Sequence, residues 1–320
     1  MRIVALHTEN VSISIVIPLY NKEEFVRNTL LSVLNQTFQN FEIIIVDDGS
    51  TDRSIEFAKE FNDSRIRIIT QENRGVSASR NTGIKNAKYD YIAFLDADDE
   101  WKPYYLQEQV NLIIKYPECS VFACAYERRN NNRELKPLKL NKMPFSSQTG
   151  VLTNYFEVAS CSHPPLWTSA VTAKKEAILS VGGFLLGVKT GEDLLMWARL
   201  AVKYPIAYNK NSLSIYNVSP SKSYENSSSP SPQENDLVGK ELEKLYKKNK
   251  SLNGLRNYVA LWYKMRASMF LLLGDRKKTW RESFRSLKYD PANIRVWAYI
   301  LLLLFPKSFR YKIFQKLGNQ

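Results

Sequence analysis

Residues 42–52, EIIIVDDGSTD, contain the change of pattern that decides the fold. Glu42–Val46 is a near-continuous β-branched run, as expected of a strand covered on both faces. At Asp47 the chain switches to acids, glycine, serine and threonine, which are turn and helix-start residues. A buried strand that stops this abruptly before a helical segment is one βα unit. The same grammar repeats on either side. Ser12–Leu19 is a strand before a helix at Glu23–Gln36, and Asp52–Phe61 is the helix that follows the central run. Ile66–Thr70 precedes a helix at Val76–Lys88, Tyr91–Leu95 precedes one at Pro103–Tyr116, and Ser120–Tyr126 is the next strand. This alternation specifies an α/β fold, an open and mostly parallel sheet with helices on both faces.

Such sheets bind ligands outside the carboxyl ends of their strands. The charged clusters fall there: PLYNKEE after the first strand, DDGSTD after the second, DADDE after the fourth. The last places Asp96, Asp98 and Asp99 in four positions. Close carboxylates raise one another's pKa unless a cation or solvent intervenes. An acidic cap for the helix at Pro103 is the plainer use of this charge. A bound cation is the chemical one.

Farther along, residues 127–150 are polar and loop-like, Thr168–Ala173 reads as a strand, Lys175–Val181 as a short helix, and Glu192–Tyr204 as a clear helix. Residues 217–236 are rich in Ser, Pro and Asn and read as a linker. The expected organisation is therefore a domain over 1–216, the linker, and a basic helical region over 237–320. Within that region LGDRKKTWRESFRSLKYDPANIRVWAYI suits a helix-turn-helix unit. Cys119, Cys124 and Cys161 have no CxxC spacing and point to a reduced compartment. Two histidines make a histidine-rich zinc site unlike this chain. The first residues lack a signal peptide's apolar region, and Val296–Phe305 is about half the ~20 residues a membrane span needs.

The order IPLYNKEE, EIIIVDDGSTD, ENRGVSASRNTGI, YIAFLDADDEW resembles the inverting glycosyltransferase family 2, closely over residues 12–101, and GGF…GEDLLMWARL extends the likeness to about residue 200. The resemblance implies a GT-A fold, which is Rossmann-like, and a nucleotide-sugar donor, UDP-linked. It implies donor contacts from Pro18, Tyr20, Asn21, Glu23, Asp47, Asp48, Ser50, Gly75, Arg80, Asn81, Asp96 and Ala97. Asp96 and Asp98 match the family's DxD pair and would hold Mg²⁺ or Mn²⁺ together with the donor phosphates. Asp193 of GEDLLMW matches the catalytic base, with Glu192 as the fallback. Two of these have ordinary structural uses: Asp48-Gly49-Ser50 suits a helix cap, and Thr190-Gly-Glu-Asp suits a capping box. His163, Trp167 and Glu192 are candidate contacts to acceptor or diphosphate, and Trp197 reads as helix core.

The net charge of +13 is uneven: residues 237–320 hold 19 Lys/Arg against 5 Asp/Glu. No nucleic-acid-binding motif accompanies that charge. Eleven uncharged residues between Arg295 and Lys307, followed by Arg310 and Lys312, suit a helix lying in a membrane interface. The expectation is a metal-dependent glycosyltransferase, peripheral at the cytoplasmic face of the membrane, acting on a lipid-linked or surface-glycan acceptor. Two alternatives remain: a nucleotidyltransferase, which YNKEE disfavours where a glycine-rich phosphate loop belongs, and an inactive nucleotide-sugar-binding protein.

Overall fold

The computed structural model describes residues 11–130, 133–218 and 232–306, in two compact units that divide between Asn226 and Ser227. Most of the expected linker, and Lys307, Arg310 and Lys312, lie outside the described residues.

The first unit is built on one sheet. β1 (Ile13–Leu19), β2 (Phe41–Asp47), β3 (Ile66–Thr70) and β4 (Tyr91–Phe94) pair in parallel, in the order β3-β2-β1-β4. All seven residues of β2 are buried, which is why its sequence is a β-branched run rather than an alternation. The connecting helices are α1 (Val26–Leu34), α2 (Ser54–Lys59) and α3 (Val76–Asn86). Ile13, Ile15, Ile17 and Leu19 share a core with Val26, Leu30 and Val33 of α1. Val16 points the other way and meets Gly83 of α3, so helices cover both faces.

Beyond β4 the sheet is mixed. After β5 (Glu100–Trp101) and α4 (Tyr105–Lys115), β6 (Val121–Arg129) joins through an intervening antiparallel strand, β9 (Val171–Lys174). Thr168–Ala170 is a turn of 3₁₀ helix instead of strand, so the strand expected there begins three residues later. The polar stretch after β6 holds two short strands, β7 (Leu135–Pro137) and β8 (Thr149–Val151), then α5 (Tyr155–Cys161). α6 (Lys175–Ser180) and α7 (Glu192–Lys203) follow, and β10 (Ile206–Asn217) pairs parallel with β6. β10 takes Ser214 and Ile215 back to β5, directly behind the acidic turn. All three cysteines are free thiols.

The second unit has four helices among the described residues: α8 (Leu237–Lys248), α9 (Leu255–Leu273), α10 (Arg276–Tyr289) and α11 (Ile294–Leu302). The last two form the expected helix-turn-helix pair. Inside the unit, Arg266 bridges Asp236 and Glu282, all three buried, and Asp236 also caps α8 through Gly239 N–H. No helix among the described residues is long and apolar enough to cross a membrane.

Candidate active site

The loops leaving β1 and β2 are zipped together. Asn21, at a left-handed φ of +49°, accepts Thr51 N–H at 2.8 Å and donates its own N–H to Ser50 Oγ. Lys22 N–H donates to Ser54 Oγ at 2.6 Å, and Glu23 accepts Arg53 N–H. Glu23 and Ser50 therefore serve loop-to-loop bonds, while Pro18 is half-buried and Tyr20 stands exposed at the rim.

The two acids at the end of β2 divide their tasks. Asp48 accepts Gln71 Nε2 at 2.7 Å, Arg74 N–H at 3.0 Å and Gly75 N–H at 2.7 Å, fixing the loop that enters α3. The Asp47 carboxylate accepts one bond, from Ser50 N–H. Of the pair, Asp47 keeps more acceptor capacity for a base or ribose. Gly75 sits at φ +85° as the residue before α3, with its N–H on Asp48.

α3 lies against β1 closely enough that a Cβ on Gly83 would fall 2.3 Å from Val16 Cγ1. That approach carries Arg80 into the interior. Its guanidinium donates to Asp96 Oδ1 at 2.6 Å and to Glu192 Oε1 at 2.9 Å, and lies 5.1 Å from the Phe184 ring centroid. Burial opposes the charge, but Asp96 and Glu192 outweigh it and hold the guanidinium above its ordinary pKa. One side chain thus joins the acidic turn after β4 to the start of α7, elements far apart in sequence. Asn81 faces differently: its amide bonds Phe184 N–H and O, latching the 182–184 loop.

In the acidic turn each carboxylate has its own direction. Asp96 keeps 23% of its side chain exposed and Asp98 only 6%, with Lys22 Nζ 2.5 Å from Asp98 Oδ2. Asp99 turns fully inward, accepting Trp167 Nε1–H at 2.9 Å, Ser169 Oγ–H at 2.6 Å and Asn217 N–H at 3.1 Å. Burial, then the charges of Asp98 and Asp96, raise Asp99 well above the ordinary carboxylate range. The turn's backbone is pinned too: Thr29 Oγ1 bonds both Ala97 O and Asp99 O, and Asn217 Nδ2 donates to Asp98 O.

At the start of α7, burial and the Glu192 charge raise Asp193 to about 7, against the pull of Arg80 and the Leu194 N–H. A carboxylate poised there suits general-base work near neutral pH. His163 lies exposed on its loop, 3.5 Å from Lys139 O, and is not drawn into this cluster. Trp167 is held by Asp99 and packs against Tyr126 and Tyr216. Trp197 is core, edge-on to Phe94 and Phe184.

Among the described residues, no three His, Cys, Asp or Glu side chains are grouped to hold a metal ion alone. Asp96 and Asp98 nevertheless fit a hard cation that takes its remaining oxygens from a diphosphate and water. The ammonium already against Asp98 marks a position where positive charge is favoured. Sequence reasoning missed Lys22, although it stands in the YNKEE turn. Ser169 and Asn217 carried no signal, since only the fold brings them to Asp99.

Residues 14–166 match the model of Glycosyl transferase family 2. Glycosyltransferase GlyA of Streptococcus pneumoniae is 44% identical over 106 residues, 32% of this chain and 15% of that protein. The Escherichia coli UDP-Glc:alpha-D-GlcNAc-diphosphoundecaprenol beta-1,3-glucosyltransferase WfgD is 37% identical over 148 residues, 44% of this chain and 58% of that protein. The chain thus spans less than two thirds of either relative. A crystal structure of S. aureus TarS in complex with UDP-GlcNAc superposes with a TM-score of 0.68 at 16% identity, covering 91% of this chain and 84% of that one. That likeness shows the fold, which is the GT-A architecture followed by helices.

Proposed function

Since the chain belongs to glycosyltransferase family 2, we propose that it transfers a sugar, with inversion, from a UDP-sugar to a lipid-linked or surface-glycan acceptor. The observation that carries the reading is the Arg80 bridge, which puts the acidic turn and Asp193's helix start at one site. Asp47 and the turn at Pro18–Asn21 would hold the nucleoside, and Asp96 with Asp98 would hold Mg²⁺ or Mn²⁺ beside the diphosphate. Such a cation neutralises charge developing on the leaving group. Asp193 takes the proton of the acceptor hydroxyl as it attacks the anomeric carbon, and the diphosphate leaves from the opposite face. The buried Arg80 guanidinium holds the Glu192 and Asp96 carboxylates in place around that step.

A lipid-linked acceptor needs the protein near a membrane, and the second unit supplies a suitable surface. On α11, Ile294, Trp297 and Leu301 recur at helical spacing and are exposed, Ile294 by 81%, as is Leu304 just past its end, while Val296, Tyr299 and Leu302 are buried. On α10, exposed Trp280 and Phe284 pack ring against ring, tilted by 37°, among exposed Lys277, Arg281 and Lys288. Aromatic and basic residues together fit an anionic lipid surface, here the cytoplasmic face of the cell membrane.

The test is a panel of nucleotide-sugars bound to the full chain, followed by calorimetry, with Mn²⁺ and with chelator, in wild type and Asp98→Ala. Selective UDP-sugar binding, weakened by chelator in wild type and insensitive to it in the variant, is expected. Equal affinity for every nucleotide would overturn the donor assignment.

A further inference from the structure

Among the described residues, two cations pair with the acidic turn, and they differ in kind. Arg80 is buried, with its guanidinium fixed between Asp96 and Glu192. Lys22 reaches Asp98 on a flexible stem, and 27% of its side chain is exposed. Its ammonium is a compact, rotatable point charge, whereas the arginine fork is locked by geometry. The stem is anchored at its base. Lys22 N–H is bonded to Ser54 Oγ, and Asn21 before it is bonded to Ser50 and Thr51, so the side chain projects from a braced turn towards Asp98. On the other side, Asn217 Nδ2 holds Asp98's backbone oxygen at 2.7 Å. The backbone is thus anchored at both ends of the ion pair, and the lysine stem between them is partly exposed.

We propose that Lys22 is a displaceable counter-ion: it occupies the cation position at Asp98 and yields it only when a divalent cation and the donor diphosphate enter together. The inference rests on the metal-assisted reading above. A divalent cation alone must evict an ammonium that gains no new partner. With a nucleoside diphosphate present, the ejected ammonium meets phosphate oxygens, so the displacement is offset. Metal and nucleotide then bind with positive coupling, and by linkage each raises the other's affinity by the same factor. The ammonium also offsets the charge of Asp98 beside Asp96 and Asp99 before substrate arrives.

The test measures Mn²⁺ binding to the full chain from the free-ion paramagnetic resonance signal, with and without UDP. The expected result is that Lys22→Met binds Mn²⁺ alone at least about tenfold more tightly than wild type, as removal of an adjacent like charge requires. UDP should then strengthen Mn²⁺ binding less in Lys22→Met than in wild type, and Lys22→Arg, which keeps the positive charge, should not bind Mn²⁺ alone more tightly than wild type. Unchanged or weaker Mn²⁺ binding by Lys22→Met, with UDP still bound, would overturn the counter-ion role alone. UDP binding without any Mn²⁺ binding, in wild type and variant alike, would instead remove the metal-assisted reading and the counter-ion with it.

Discussion

Asp193 is a carboxylate at a helix start, where the backbone favours negative charge, yet its ionisation is resisted by burial and by Glu192. The group rises from 3.8 to about 7 on folding, so the folded protein binds this proton more tightly. Its contribution to stability is therefore favourable below about pH 4, falls as pH rises towards 7, and levels off above. Asp193→Asn is expected to be more stable than wild type at pH 8, by roughly 1–2 kcal/mol because the residue keeps some solvent exposure, and to show no gain at pH 4. Urea unfolding at the two pH values checks this; equal stability at pH 8 would count against the buried-charge account. The sequence offered Asp193 through GEDLLMW, but not its ionisation, which depends on neighbours from three separate segments. For the same reason DADD named three acids without showing that Asp99 turns inward. Its partners Trp167, Ser169 and Asn217 are 68 to 118 positions away.

Among the elements, the parallel half of the sheet was readable because β-branched runs and turn residues alternate cleanly from Ser12 to Leu95. β10 was not: its 12 residues, IAYNKNSLSIYN, mix polar and apolar without a clear period, and its register shifts along β6. β9 was expected as a strand, but the parallel order gave no warning of its antiparallel place, which is set by pairing on both sides. The contact of α3 with β1 is the element on which the site depends. Gly83→Ala gains about 1 kcal/mol of helix propensity, but its methyl group meets fully buried Val16 in the central strand. A net loss of about 1–2 kcal/mol in urea unfolding is expected, together with weaker UDP binding as Arg80 shifts. Adding Val16→Ala should recover the binding even though it opens the core. Wild-type UDP affinity in Gly83→Ala would mean that the helix position does not set the site.

For the whole molecule, the uneven charge has a structural counterpart in a unit whose helices bear exposed aromatic and basic residues together. Its helical character was legible in the sequence. Which apolar residues face outward was not, because Val296 and Trp297 look alike until packing selects between them. The full chain carrying Trp297→Glu and Leu301→Glu is expected to bind phosphatidylglycerol vesicles at least about tenfold more weakly than wild type, since each change removes an apolar anchor worth about 1.5–3 kcal/mol when buried. Neither form should bind neutral phosphatidylcholine vesicles appreciably. Equal sedimentation with anionic vesicles would exclude α11 as the contact.

The claim on which the account turns is that Asp193 removes the acceptor's proton at a site assembled by Arg80. The most direct measurement is the turnover of UDP-sugar transfer in Asp193→Asn, made beside the UDP affinity of the same variant. The account predicts turnover lower by about 10²–10⁴-fold with UDP affinity within a factor of a few of wild type. Undiminished turnover in a variant that binds UDP normally would contradict it.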